Sequence, residues 1–303
     1  MKRLLNCYAS QIAKMTPKEM LESIRASEGR IIATESTVIS PTSVIHGITD
    51  AELKSAFGAD IILYNWLDVF DPMIPGLDVT DKSLAIKRVK ELTGRIVGVN
   101  LEPVDPKVVA MGEIAEIAKG RLATVETVER AIELGADIIL LTGNPGTGVT
   151  NAKIVETLKK IKPLCQDKII LMAGKMHAAG SVDDAGENII NEGLIKELVD
   201  AGADIICMPS PGTVPGIGLD YIQKMVKYAH ALGALTMTAI GTSQEGASKE
   251  TINQIALMCK MSGTDIHHIG DANVERFDNI YHYGLAIRGA RHTYMSMAKS
   301  VKR

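Results

Sequence analysis

The sequence has 303 residues, a formal net charge of −3 at pH 7 and a hydrophobic fraction of 46%. This balance gives no electrostatic basis for binding nucleic acid or an anionic membrane surface, and no segment approaches the roughly 20 apolar residues of a membrane span. The four cysteines are widely spaced, which indicates neither a disulfide framework nor a zinc site and favours the reducing cytoplasm.

The first predicted element is a helix at 17–27. Thr16-Pro17-Lys18-Glu19 combines a capping box with proline at the first helical position. A strand-like run follows at 30–38, and Thr49-Asp50-Ala51-Glu52 repeats the capping box for the helix after it. The chain therefore begins with one helix that precedes the first strand.

A short phrase then occurs four times. Gly58-Ala59-Asp60-Ile61-Ile62 returns at 135–139 and 202–206, and a weaker copy lies at 263–267. Each copy follows a helix-like stretch, with its glycine suited to a left-handed C-terminal position, and opens an apolar run typical of a buried strand. Further strand-like runs lie between the copies, at 95–101, 168–174 and 235–241. Helices are predicted at 81–92, 124–134, 151–162, 187–201, 219–232, 249–262 and from the 280s to near the end.

Eight strands that alternate with helices indicate the α/β class and a (β/α)8 TIM barrel, formed by residues 1–303 as a single domain. We expect the extra N-terminal helix to close the bottom of the barrel. The aspartates of the repeated phrase lie at strand beginnings, on the bottom face, and are interpreted as structural. The long loops, such as 66–80 and 101–123, gather at the opposite face, where active sites of this fold lie.

Alternation along each strand predicts which side chains face the interior. On the fifth strand it places Leu171 and Ala173 inward, and on the seventh Thr236 and Thr238. The first strand contributes Glu35 or its neighbours Thr34 and Ser36, and its register stays open. At the ends of the second to eighth strands, the residues on this side are Asn65, Asn100, Glu102, Thr142, Lys175, His177, Thr242, His268 and Gly270.

Lys175 is the strongest candidate for a catalytic or binding residue among these side chains. A desolvated lysine has a lowered pKa and forms a Schiff base, whereas a charged one holds a phosphate or carboxylate. Glu102, His177 and His268 are candidates for proton transfer or for binding a divalent metal, Mg²⁺ or Mn²⁺. The alternatives are a lysine that points to water and a structural histidine. His267 is expected to face the helices and to be structural.

Glycine-rich loops follow the fourth, sixth, seventh and eighth strands. They match neither a P-loop nor a dinucleotide fingerprint, but their exposed backbone N–H groups suit an anion. Barrels of this type frequently bind phosphate on the loops after strands seven and eight. The alternative is that short strand–helix turns need glycine anyway. Candidates for binding substrate or phosphate are Asn65, Asn100, Thr142, Thr213, Gly241, Thr242, Ser243, Gly270 and Asp271.

The segment His267-His268-Ile269-Gly270-Asp271-Ala272, together with 286–294, resembles a bacterial barrel family that covers essentially the whole chain. That family is sometimes labelled phosphoenolpyruvate-phosphonomutase-like or haloacid-dehalogenase-like. Phosphonomutase and isocitrate-lyase relatives carry an acidic pair for Mg²⁺, which has no obvious counterpart here, and a Lys-Lys-Cys-Gly-His-like loop, of which Gly174-Lys175-Met176-His177 keeps part. The stretch 141–148 is also similar to BtpA-like barrels.

The preferred hypothesis is a lyase (aldolase type) or isomerase that acts on a small phosphorylated metabolite, either a sugar phosphate or a phosphorylated carboxylic acid. Lys175 would bind or activate the carbonyl, and Glu102 or His177 would move the proton. One alternative is a metal-dependent lyase or hydrolase of the phosphonomutase-like kind, and another is a non-catalytic metabolite-binding or assembly protein. Arg288, Arg291 and His292 are expected on a solvated or subunit-contacting face, and the protein is expected to form a homo-oligomer.

Overall fold

The computed structural model describes residues 2–40, 42–105, 117–143, 147–177, 186–270 and 276–303. Its strands are all parallel, pair in chain order and close into a barrel through β8 and β1. This confirms the (β/α)8 barrel. The strands are β1 (Ile31–Thr37), β2 (Ile61–Asn65), β3 (Ile96–Leu101), β4 (Ile138–Leu141), β5 (Ile170–Gly174), β6 (Ile205–Pro209), β7 (Leu235–Ala239) and β8 (Ile266–His268).

The helices lie where capping residues begin them. Thr16, Thr49 and Asn191 each accept a hydrogen bond from a first-turn backbone N–H, and none of the described helices is long and apolar enough to cross a membrane. The α-helices of the described residues are α1 (Ala9–Ile12), α2 (Pro17–Arg25), α3 (Asp50–Ala56), α4 (Ala85–Thr93), α5 (Val125–Leu134), α6 (Asn151–Cys165), α7 (Glu192–Asp200), α8 (Leu219–Ala231), α9 (Lys249–Ser262) and α10 (Phe277–Ala298), the last interrupted at Gly289.

The inner core begins with a ring of branched aliphatic side chains, one from the start of each strand. The N-terminal segment packs on that ring, because Leu4, Leu5, Met20 and Ile24 belong to the same buried cluster. The expectation that this segment closes the bottom of the barrel is therefore confirmed. The ring consists of Ile31, Ile61, Ile96, Ile138, Ile170, Ile205, Leu235 and Ile266.

The repeated aspartates tie each even strand to the odd strand before it. Asp204 is an example: its Oδ2 accepts the N–H of Leu171 at 2.8 Å, and its own N–H donates to the carbonyl of Leu171 at 2.8 Å. Each aspartate also has a basic side-chain partner. The structural interpretation is confirmed. The four sets are Asp60 with Ile32 and Arg288, Asp137 with Val97 and Lys90, Asp204 with Leu171 and Lys162, and Asp265 with Thr236 and His230.

The location of Arg288 differs from the expected one. It was expected on an exposed or subunit-contacting face, but it is 6% exposed and donates to the Asp60 carboxylate and to the carbonyl of Gly58. Burial raises the pKa of Asp60, but the charges of Arg288, Arg95 and Lys299 outweigh it and lower the pKa. At Asp137, burial raises the pKa of the carboxyl more than the charge of Lys90 lowers it, so the pKa is raised.

Two strands have the opposite register to the predicted one. In β5, Ile170 and Met172 face the interior, while Leu171 and Ala173 pack against the helices. Both faces of β5 are apolar, so its sequence does not show which alternate residues face the interior of the barrel. In β7, the inward residues are Leu235, Met237 and Ala239, and the outward Thr236 hydroxyl bonds to Asp265 at 3.1 Å. The prediction that Thr236 and Thr238 face inward is therefore wrong, because alternation alone does not say which of the two faces of a strand points into the barrel.

Candidate active site at the barrel mouth

A buried polar network links the tips of four strands at the mouth. The Asn100 amide donates to Asn65 Oδ1 at 2.9 Å, and the Asn65 amide donates to Glu35 Oε1 at 2.5 Å. His268 Nε2 lies 3.4 Å from Glu35 Oε2. The predicted residues Asn65, Asn100 and His268 are thus brought together, and Glu35 of β1 is the group they surround.

The tautomer of His268 follows from its second nitrogen. Its Nδ1 accepts the backbone N–H of Gly270 at 3.2 Å, so the ring proton lies on Nε2 and faces Glu35. The Gly270 carbonyl in turn accepts the N–H of Glu35 at 2.9 Å. Gly270 therefore positions both partners, and a side chain there would be strained, since its φ is +76° and a Cβ would lie 2.9 Å from the carbonyl oxygen of Ile240.

Glu35 is held as a carboxylate although it is buried. Burial raises the pKa of Glu35, but the nearby His268, the hydrogen bond from Asn65 and the charge of Lys54 together lower it further than burial raises it. Lys54 is fully buried on α3 and donates to the Glu35 carbonyl at 2.6 Å and to Ser36 Oγ at 3.2 Å. A negative charge is therefore fixed at the centre of the mouth, with a lysine behind the strand that carries it.

Lys175 and His177 follow β5 at the same face. Lys175 is 1% exposed. Burial lowers the pKa of His177, Lys175 lowers it further, and Glu35 opposes both, so that the pKa stays below the usual value. His177 is therefore a neutral base near pH 7, within electrostatic range of one positive and one negative group. Gly174 has a φ of +144°, which interrupts the alternation that placed these two side chains.

Gly241 lies directly against His177. A Cβ added at Gly241 would lie 2.6 Å from Met176 Cβ, closer than such contacts allow, and 3.1 Å from His177 Cδ2, tighter than most such contacts. Gly241 continues the inward face of β7, so the imidazole lies on the interior side of the mouth. The predicted residues His177 and Gly241 are thus neighbours, and glycine is required there by space.

Glu102 belongs to a second cluster beside the first. It forms a buried ion pair with Arg121, and its Oε2 lies 3.3 Å from the Thr147 hydroxyl. The Arg121 guanidinium stacks on Trp66 at 4.1 Å from the ring centroid. The charge of Glu102 is thus paired and each of its oxygens has a partner, and its role in proton transfer stays a prediction.

The loops after β6 and β7 hold each other through hydroxyls. The Thr213 hydroxyl donates to the carbonyl of Ser210 at 2.8 Å, and the Thr242 hydroxyl lies 3.0 Å from the carbonyl of Thr213. These hydroxyls are therefore engaged. Within the described residues, however, the backbone N–H groups of Gly241, Thr242 and Ser243 have no hydrogen-bond acceptor. Ser243 is left-handed, with φ +64°, and a 3-10 turn follows it, an arrangement that presents successive N–H groups as an anion-binding concavity.

The remaining predictions concern Thr142, Asp271 and the metal. Thr142 is buried at the end of β4, and Asp271 lies outside the described residues. Asn65 Oδ1 already accepts from Trp66 and Asn100, and the part of the chain that the structure describes contains no group of three or more His, Cys, Asp or Glu side chains able to hold a metal ion. The described residues thus do not fit the Mg²⁺ or Mn²⁺ site that the resemblance implies.

Sequence reasoning did not decide which of Thr34, Glu35 and Ser36 faces the interior, and it did not identify Lys54 or Arg121. Glu35 could have been selected by counting two residues at a time from Ile31, the β1 member of the apolar ring. Lys54 lies three residues after the buried Ala51, which places it on the buried face of α3. Arg121 follows a long loop and carries no such signal.

A family model described as domain of unknown function DUF7916 matches residues 5–303. The chain belongs to this family. No curated protein matches this chain. The matches give no support to the dehalogenase-like label or to the similarity with BtpA-like barrels.

Two solved structures share the barrel. One is a candidate lyase/mutase from Burkholderia cenocepacia J2315, at 17% identity and a TM-score of 0.51, with 86% of this chain and 83% of that chain covered. The other is 2,3-dimethylmalate lyase, described as a member of the PEP mutase/isocitrate lyase superfamily, at 11% identity and a TM-score of 0.52, with 85% and 82% covered. At these identities the likeness shows the fold.

Proposed function

We propose that the protein is a lyase or isomerase that acts on a small phosphorylated metabolite, a sugar phosphate or a phosphorylated carboxylic acid, at the C-terminal mouth of the barrel. The observation that carries the proposal is the convergence of a buried lysine, a neutral histidine and a fixed carboxylate: Lys175, His177 and Glu35. Buried groups with perturbed pKa values and opposite charges in one cleft are typical of active sites. Two similar barrels carry lyase names, and the proposal places this chain in the same broad class.

The roles follow from the charges. Lys175 binds the substrate carbonyl oxygen and stabilises the negative charge that develops on it. His177, neutral because burial and Lys175 lower its pKa, accepts the proton from the carbon or hydroxyl next to that carbonyl. Glu35 stabilises the imidazolium that forms. His268 and Asn65 hold the Glu35 carboxylate in place for this step.

The phosphate binds on the loops after β7 and β8. Its oxygens accept the N–H groups of Gly241, Thr242 and Ser243, which have no acceptor among the described residues. The contact is made by the backbone, because the Thr242 and Thr213 hydroxyls already bond within the loops. Gly241 would then connect the phosphate site to His177, which it contacts directly.

The test is a thermal-shift screen of the purified protein against phosphorylated metabolites of three to six carbons, each with Mg²⁺, with Mn²⁺ and with chelator. A ligand at a hundred times its Kd adds about 2.7 kcal/mol to stability, a readily measured shift in Tm. We expect a hit that is unaffected by chelator and lost in Gly241→Asp, which introduces a negative charge and a side chain that meets Met176 and His177. Shifts only with unphosphorylated acids would refute the phosphate site, and a hit that requires metal would refute the metal-independent mechanism.

A further inference from the structure

The 3-10 turn Gln244–Gly246, which follows β7, is anchored by a side chain of α10. Asn279 of that helix is 1% exposed, and its amide donates to the carbonyl of Glu245 at 2.7 Å and to the carbonyl of Ala247 at 3.1 Å. Both acceptors are carbonyl oxygens, so the nitrogen of the amide must face them. A buried amide that gives both hydrogens to one turn fixes the position of that turn relative to α10.

The backbone just before the turn needs such an anchor. Ser243 is left-handed, with φ +64°, and a residue other than glycine keeps this strained conformation only where its surroundings hold it. On one side of Ser243, the Thr242 hydroxyl lies 3.0 Å from the carbonyl of Thr213 and 3.0 Å from Gln244 Oε1. On the other side, the two hydrogen bonds from Asn279 hold the chain. The strained residue is therefore fixed from both directions.

The same turn contacts the residue that positions Glu35 and His268. A Cβ added at Gly270 would lie 3.0 Å from both Cβ and Cγ of Glu245, so the Glu245 side chain packs directly against Gly270. Glu245 is 4% exposed, and Asn279 holds its carbonyl. The turn therefore adjoins both the N–H groups assigned to the phosphate and the network around Glu35, and α10 fixes its position relative to both.

We propose that Asn279 is a positioning residue of the candidate active site, which sets the conformation of the anion-binding loop at 241–247 without touching the substrate. This inference rests on the proposed function, since it concerns the loop that binds the phosphate. Without the two hydrogen bonds the turn loses its attachment to α10, and Ser243 relaxes from the left-handed conformation. The N–H groups of Gly241, Thr242 and Ser243 then no longer converge on one anion.

The test compares Asn279→Ala with the wild type by heteronuclear NMR of the backbone amides of the full chain, first without ligand and then in a titration with inorganic phosphate at constant ionic strength. In the ligand-free protein we expect the amide signals of residues 241–243 and of Gly270 to shift in the variant. Phosphate should move the signals of residues 241–243 of the wild type saturably, and its Kd should be at least tenfold higher in Asn279→Ala. Asn279→Ser, whose shorter side chain cannot reach both carbonyls, is the second variant and should behave alike.

Two control variants separate positioning of the loop from a general loss of stability. Asn253→Ala removes a half-buried amide on the neighbouring helix α9. Asp204→Ala removes the acceptor of the Leu171 N–H at the opposite end of the barrel, and so lowers stability without contacting the loop. Both controls should bind phosphate as the wild type does, and melting curves establish that every variant is folded when binding is measured.

The outcomes distinguish this inference from the proposed function. Equal Kd values for the wild type and Asn279→Ala, or unchanged amide signals at 241–243 in the ligand-free variant, would overturn the inference and leave the phosphate site standing. A wild type that does not bind phosphate would refute the phosphate site itself, and the inference with it. Equal weakening in Asp204→Ala would also overturn the inference, because the loss would then follow stability rather than the position of the loop.

Discussion

His267 is predicted to make the protein less stable as the pH falls below neutral. Its ring is fully buried, with Nε2 2.9 Å from the carbonyl of Gly29 and Nδ1 3.2 Å from the Tyr283 hydroxyl, which satisfies the neutral form. Burial, aided by the charge of Arg288, lowers the pKa of His267 to about 4. The unfolded chain, with a histidine pKa of about 6.5, therefore binds a proton that the folded chain does not accept.

The sign and size follow from proton linkage. Stability is complete above the unfolded pKa and is lost as the pH falls below it, down to the folded value. Between pH 7.5 and pH 5 the loss amounts to about 2 kcal/mol. Urea unfolding at both pH values measures it: His267→Gln should have a pH dependence about 2 kcal/mol smaller than the wild type, and the exposed-residue control His46→Gln should keep the full dependence. An unchanged pH dependence in His267→Gln would refute the reasoning.

Three further predictions concern the strand ties and the mouth. Asp204→Ala leaves the buried N–H of Leu171 without its acceptor and should lower the free energy of unfolding by about 1–3 kcal/mol. The control Asp200→Ala removes an exposed ion pair on α7 and should lower it by less than about 1 kcal/mol. Equal losses in urea titrations would contradict the role of the repeated aspartates. Gly241→Ala should weaken binding of any phosphorylated hit at least tenfold by displacing His177. The control Gly218→Ala, where a Cβ meets open space, should leave the affinity unchanged. Equal affinities of the two variants by calorimetry would contradict the contact between Gly241 and His177. Glu35→Gln removes the charge that raises the pKa of His177, so NMR titration should find that pKa lower than in the wild type, and no change would remove Glu35 from the site.

The sequence predicted the fold well because the repeated phrase fixes the even strands. In Ile61, Ile138, Ile205 and Ile266 the same position of the phrase faces inward, so counting from it placed Asn65 and His268 correctly. The odd strands lack such a marker. β5 is apolar on both faces, and β7 satisfies its outward threonine through Asp265, so polarity alone gave the wrong register.

The candidate site was predicted in part. The tips Asn65, Asn100 and His268 were expected to converge, and they do so on a carboxylate whose strand register was left open. The roles depend on partners distant in sequence, such as Arg121, which engages Glu102. No spacing in the sequence reveals that ion pair. The phosphate site, the cytoplasmic location and the homo-oligomer stay predictions.

The central claim is that the mouth of this barrel carries out chemistry through Lys175 and His177. The most direct measurement follows each phosphorylated hit from the thermal-shift screen by mass spectrometry, with the wild type and with Lys175→Met, whose Tm and ligand affinity are measured in parallel. We predict that the wild type converts at least one hit and that Lys175→Met remains folded but converts it at least a thousandfold more slowly. Binding without conversion by the wild type, or conversion at the wild-type rate by Lys175→Met, would contradict the account.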